Sequence, residues 1–199
     1  MSNRLARYPW MVGVGSATLK TGTADILVQK FFEKREQIDR RRLFLFTSWG
    51  FLWMGCVQFY LYSRVFVRLF PNVTTFVAKP WRLKLHDRRG LRDLVSQISI
   101  DQFVHSPFFF FPVFYLVKDI VETQSESRRT LRSHWSRALD LYARNAREDL
   151  IRCWSFWIPA FAFNFSFCPI WMRLPFVSAC SFFWTMGWSM TRGAPAEAF

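Results

Sequence analysis

Two kinds of chemistry are missing from this chain of 199 residues. No nucleophile stands in a pattern with a base and an orienting acid, and the eight glycines include no phosphate-cradling loop. Histidine is scarce, with three residues, and the four cysteines, Cys56, Cys153, Cys168 and Cys180, show no metal-ligand spacing. These absences argue against an enzyme, a bound metal and any cofactor. The cysteines lie within or beside apolar stretches and read as reduced packing residues. Acidic residues are also few, 14 against 27 Lys and Arg, for a net charge of +13. No secretory signal is legible, because the first apolar stretch is broken by Lys20 and Asp25 and has no small-residue cleavage site.

What is present is apolar and aromatic. The sequence is 51% hydrophobic and 20% aromatic, with 24 phenylalanines, and its basic residues fall between apolar blocks. A soluble nucleic-acid binder spreads its charge over one folded surface, so no nucleic-acid partner is expected. Apolar blocks about twenty residues long, separated by basic loops, read as membrane segments beside anionic headgroups. We expect an all-α integral membrane helical bundle, a single membrane domain over residues 1–199. It has four membrane segments and five or six helices in all, one of them interfacial and amphipathic.

The organising stretch is Trp154 to Arg173, a near-continuous apolar run long enough to cross the hydrocarbon core as one helix, with Pro159, Asn164 and Pro169 inside it. The other membrane segments are Tyr8 to Phe32, Leu43 to Phe59 and Ile98 to Val121; Leu174 to Met190 either spans or lies in the interface. Gly13, Gly15, Ala17, Gly22 and Ala24 give the first segment a small-residue surface that admits a second helix, and Gly50 and Gly55 do the same for the next. Asp25 and Gln29 share a helical face, as do Asp101 and His105. The second pair has the spacing of a proton relay, but mutual hydrogen bonding or pairing with an arginine is the expected use. Pro107 and Pro112 predict a kink, and Phe108 to Phe111 a surface toward lipid or an aromatic partner. Asp25, Gln29, Asp101, Gln102 and Asn164 are expected near one another in the bundle interior, as packing groups or as pore lining, because lipid offers them no partner. Between Thr123 and Arg147, Leu131, Trp135, Leu139 and Tyr142 recur at helical spacing with arginines around the other side. This pattern predicts that Arg128, Arg132, Trp135 and Arg137 contact lipid or a partner protein.

The spacing Trp154-x2-Trp157, Asn164-Phe165, Pro169, Arg173, then Trp184 and Ser189, resembles the C-terminal signature of the Mpv17 / PMP22 family of small mitochondrial inner-membrane and peroxisomal membrane proteins, carried here by residues 150–190. Pro159 lies one place later than the family's proline, Phe161 replaces a glutamine and Thr185 an asparagine. Earlier, Tyr8-Pro9, Thr18, Gly22, Asp25 and Gln29 are similar to the family's first segment. Asp39 with Arg42 resembles its Asp-x-x-Arg, and Asp101-Gln102 with Pro107 its Asp-Gln-proline pattern. The resemblance implies a channel-like protein of the mitochondrial inner membrane, or of the peroxisomal membrane, concerned with metabolite, nucleotide and redox balance and targeted by internal signals. The lost family polar positions and the Phe- and Trp-rich surface leave a second reading open: an accessory subunit of a large inner-membrane respiratory-chain or ATP synthase assembly, without transport activity.

Overall fold

Helix starts are written into the chain by prolines and aspartates. Pro9 and Pro71 open helices at positions where a missing N–H costs nothing. Asp39 accepts the backbone N–H groups of Arg41 and Arg42, and Asp87 accepts that of Gly90, so both act as N-caps. The computed structural model describes residues 9–123, 130–168 and 170–193; the side chains of residues 9, 165–166 and 170–175 lie outside that description. Among the described residues there are seven helices and no strand. They are α1 (Pro9–Leu27), α2 (Arg40–Leu69), α3 (Pro71–Ala78), α4 (Trp81–Lys84), α5 (Arg88–Glu122), α6 (Leu131–Ser166) and α7 (Ile170–Arg192). The chain divides into two compact units. The first comprises Met1–Tyr60, Val113–Leu141 and Phe182–Phe199; the second comprises Leu61–Pro112 and Tyr142–Ser181.

Of the expected membrane segments, two fall on helices long and apolar enough to cross a membrane, α2 and α5. At 1.5 Å per residue each exceeds the roughly 30 Å hydrocarbon core. The organising stretch is not one helix. α6 ends at Ser166, a turn follows at Phe167 and Cys168, and α7 begins at Ile170. The amphipathic segment and the first half of that stretch instead join into the 36-residue α6. The amphipathic part is therefore not a separate interfacial helix.

In the first unit α1 runs along α2 through Gly22, Gly50 and Gly55, three of the small residues expected to permit it, whereas Gly15 has nothing within 4 Å of an added side-chain carbon. A side-chain carbon at Gly50 would strike Thr21, one at Gly22 would meet Thr47, and one at Gly55 would meet Val14. Phe114 is the aromatic hub of this unit, with ring centroids 5.3 Å from Trp49, 5.3 Å from Trp188 and 6.1 Å from Phe46. The first residues of α6 turn Ala138 inward and His134 onto Asp119, 2.7 Å away. Leu131, Trp135 and Leu139, the apolar stripe of the sequence, are exposed, as are Arg132 and Arg137.

In the second unit Phe66, Phe70, Val73, Phe76 and Leu94 form a core beneath α3 and the start of α5. Pro107, where a kink was expected, lies inside a π-helical segment, Asp101–Phe110, within α5. Prolines leave carbonyls without donors, and two side chains of α6 supply them. In π register the N–H of residue 107 would serve Gln102, but residue 107 is proline, and the Trp154 indole donates to the Gln102 carbonyl at 2.8 Å. The Phe111 N–H goes to Ser106, so Pro107 O depends on residue 112, again proline; the Tyr142 hydroxyl donates to it at 2.8 Å. Phe108 and Phe109 are exposed as expected, whereas Phe110 and Phe111 are buried. Trp154→Phe keeps the ring but orphans the Gln102 carbonyl, a loss of about 1–3 kcal/mol. A lower unfolding midpoint than that of Trp157→Phe, whose ring stacks on Phe161, checks this.

Candidate functional site

Charged and amide side chains buried in otherwise apolar helices are the chemically unusual feature of this protein, and each unit holds one such network. In the first unit Asp25, on α1, is fully buried. Its Oδ1 accepts from Arg42 Nε at 2.8 Å and from Ser189 Oγ at 2.6 Å, and its Oδ2 accepts from Gln29 Nε2 at 2.8 Å. Gln29 Oε1 in turn accepts the Asp39 N–H at 2.6 Å, tying the cap of α2 to the π-helical turn, Val28–Phe32, that continues α1. Arg42 also donates to both oxygens of Glu33, at 2.7 and 2.9 Å, and to Ser189 Oγ at 2.6 Å. One guanidinium thus joins α1, α2, the loop after α1 and α7. The C-terminal end of α7 is held a second time, by buried Lys118, whose ammonium donates to the Arg192 carbonyl at 2.6 Å and lies 3.3 Å from Glu122. A cation at a helix C-terminus satisfies an orphan carbonyl and faces the negative end of the dipole.

Glu33 is the network's partly solvated member. Burial alone would raise its pKa, but the hydrogen bonds and charges of Arg42 and Arg35 outweigh that and hold it below the ordinary value of 4.5. A depressed folded-state pKa stabilises fully at neutral pH, and the contribution disappears as pH falls through the depressed value. We therefore expect the unfolding midpoint in detergent to fall as pH drops below about 4, with a shallower fall for Glu33→Gln.

In the second unit Asp101, Gln102, His105 and Ser106 lie in the π-helical segment and are all buried. Asp101 Oδ1 pairs with His105 Nδ1 at 3.1 Å, and Oδ2 accepts from Gln102 Nε2 at 2.9 Å. The Tyr62 hydroxyl bonds the same carboxylate, and Cys153 Sγ lies 3.5 Å from Gln102 Oε1. Wider π turns bring Asp101 and the Ser106 hydroxyl onto one strip, where Ser106 Oγ donates to Asp101 O at 2.9 Å.

The five expected interior residues are all buried. Asp25 bonds Gln29 in the first unit and Asp101 bonds Gln102 in the second. Asn164, also in the second, has no hydrogen-bond partner for its Oδ1 among the described residues. Asp101 pairs with His105, as the spacing implied, and four-residue spacing likewise produced the Asp25–Gln29 contact. The sequence left Asp25 without a named counter-charge and did not single out Glu33 or Lys118; Arg42 and Ser189 were visible only as signature positions. Of the signature residues, Trp154 bonds Gln102, Trp157 stacks on Phe161, Pro159 sits inside α6, and Trp184 stacks on Trp188. Pro169 and Arg128, and the side chains of Phe165 and Arg173, lie outside the described residues. Arg137 reaches Asp119 at 3.4 Å. None of the four cysteines forms a disulfide, and among the described residues no His, Cys, Asp and Glu cluster has the makings of a metal site.

Two comparisons with known proteins find likenesses. Residues 130–189 match the model of the Mpv17 / PMP22 family. The chain is also similar to Protein SYM1 of Debaryomyces hansenii, 22% identical over 187 residues that cover 92% of this chain and 82% of that protein. No solved structure matches the chain.

Proposed function

Given that this chain belongs to the Mpv17 / PMP22 family, we propose that it is a channel-like, multi-pass protein of the mitochondrial inner membrane, with the peroxisomal membrane as the alternative site. It would serve metabolite, nucleotide and redox balance rather than catalyse a reaction. The observation that carries the reading is the pair of buried carboxylates, Asp25 and Asp101, each with a dedicated set of partners. An ionisable group within a membrane segment costs roughly 3 kcal/mol on insertion scales, and such groups mark ion and solute pathways. Asp101 belongs to α5, one of the two helices with the length and apolarity to span.

The test is conductance of the purified full chain in planar bilayers. The expected result is a voltage-dependent conductance that is reduced in Asp101→Asn and in His105→Gln. Silence at every voltage and pH would sink the channel reading. The exposed stripe of Leu131, Trp135 and Leu139 on α6 favours a second reading, an accessory subunit of a large inner-membrane assembly. Native-gel electrophoresis of gently solubilised membranes separates the two: migration with a megadalton complex supports the subunit, migration alone the channel.

A further inference from the structure

We propose that the connection from α2 to α5 is a binding site for anionic phospholipid headgroups, built from Arg82, Arg88 and Arg89 around the exposed apolar side chains Trp81, Leu83 and Leu85. The proposal rests on the membrane reading of α2 and α5 and is independent of whether the protein conducts. Its first support is position. α2 ends at Leu69 and α5 begins at Arg88, so the chain between the two spanning helices, which holds α3 and α4, lies where a bilayer meets water.

The second support is that this connection has its own core, yet leaves apolar side chains outside it. Phe66, Phe70, Val73, Phe76 and Leu94 close on one another, and even Lys84 is buried, its ammonium over the Phe76 ring at 5.6 Å. Trp81, Leu83 and Leu85 face outward, 57, 58 and 71% exposed. A tryptophan and two leucines in that position suit the headgroup and upper acyl region of a bilayer.

The third support is charge. Residues 61–95 hold eight Lys and Arg against Asp87 and Asp93. Both acids are already engaged. Asp87 is bound by the Lys79 ammonium at 2.7 Å and caps Gly90, which holds its carboxyl below the usual range, and Asp93 is buried against Asn72 at 2.8 Å. Arg88 and Arg89 are exposed, and Arg82 lies over the Trp81 ring, 5.5 Å from its centroid. The uncompensated charge is thus cationic, and the same short stretch of chain leaves Trp81, Leu83 and Leu85 exposed. A soluble polyanion would match the charge but leave Trp81, Leu83 and Leu85 uncovered; an anionic bilayer satisfies both.

The full chain in detergent is titrated with dispersed phosphatidylglycerol and, separately, phosphatidylcholine, with binding read by native mass spectrometry and by the shift in unfolding midpoint. Wild type should prefer phosphatidylglycerol at least tenfold. Each basic residue near such a surface is worth about a fivefold change, so Arg82→Gln, Arg88→Gln and Arg89→Gln together should cost on the order of a hundredfold. The same three positions changed to lysine should retain the preference, and Trp81→Ser with Leu83→Ser should weaken both lipids. All these side chains are exposed, and an unchanged midpoint without lipid confirms that each variant folds. Equal affinity for the two lipids, or a preference that survives the glutamine variant, overturns the proposal. So does equally tight binding of polyphosphate, which would assign the patch to a soluble polyanion. A chain that remains dispersed without detergent would instead refute the membrane reading itself.

Discussion

Arg42→Gln will be the most damaging single substitution in this protein, lowering stability by about 3–5 kcal/mol, the range for removing one partner of a buried ion pair. Arg42 and Asp25 have side chains 2% and 0% exposed, so water cannot take over when the guanidinium is lost. Asp25 would keep Gln29 and Ser189 but lose its only counter-charge among the bonds that reach it, and both oxygens of Glu33 would lose their shared donor. Asp25→Asn should cost less, because Arg42 retains Glu33. Arg42→Lys should fall between, since one ammonium cannot reproduce a planar fork aimed at Asp25, Glu33 and Ser189 together. The double variant Asp25→Asn with Arg42→Gln should be clearly less damaged than the sum of the two single changes, as expected for groups that act as a unit. Unfolding midpoints of the purified proteins in one detergent decide this; strict additivity would mean that the pair contributes no coupling.

The same pair shows what the sequence could and could not say. Asp25 with Gln29, and Asp101 with His105, were legible because four residues make a helical turn. The Asp25–Ser189 contact spans 164 positions, and only the folded chain brings it together. The small residues of α1 and α2 announced a close helix pair, and Gly22, Gly50 and Gly55 provide it. Hydropathy, however, joined Trp154 to Arg173 across a real helix end, because the turn at Phe167 and Cys168 is as apolar as its flanks. It also registered Leu131, Trp135 and Leu139 as an amphipathic stripe without indicating whether the stripe is covered. α6 buries Ala138 and turns His134 toward Asp119, a choice made by a charge on α5. The π register of Asp101–Phe110 was hidden for a similar reason: prolines predict freed carbonyls, but the donors that accommodate them, Trp154 and Tyr142, lie on another helix.

Gly50→Ala and Gly15→Ala make the second large contrast, because the same chemical change should have opposite signs a helix apart. At Gly50 the added carbon would run into Thr21 Oγ1, with Ala17 O and Thr21 Cβ both at 3.0 Å. Thr21 cannot swing aside freely, since it is fully buried and its hydroxyl donates to the carbonyls of Ala17 and Thr18. α1 and α2 must therefore separate along a contact that also includes Gly22 against Thr47 and Gly55 against Val14, so overpacking should cost about 1–3 kcal/mol, and valine more. Gly15 has nothing within 4 Å of its added carbon and lies in the interior of α1. There alanine removes only the backbone entropy penalty of glycine and should stabilise by roughly 0.5–1 kcal/mol. Thermal unfolding of the three proteins in the same detergent tests the packing directly. A Gly50→Ala protein as stable as Gly15→Ala would mean that α1 and α2 do not approach through their small residues.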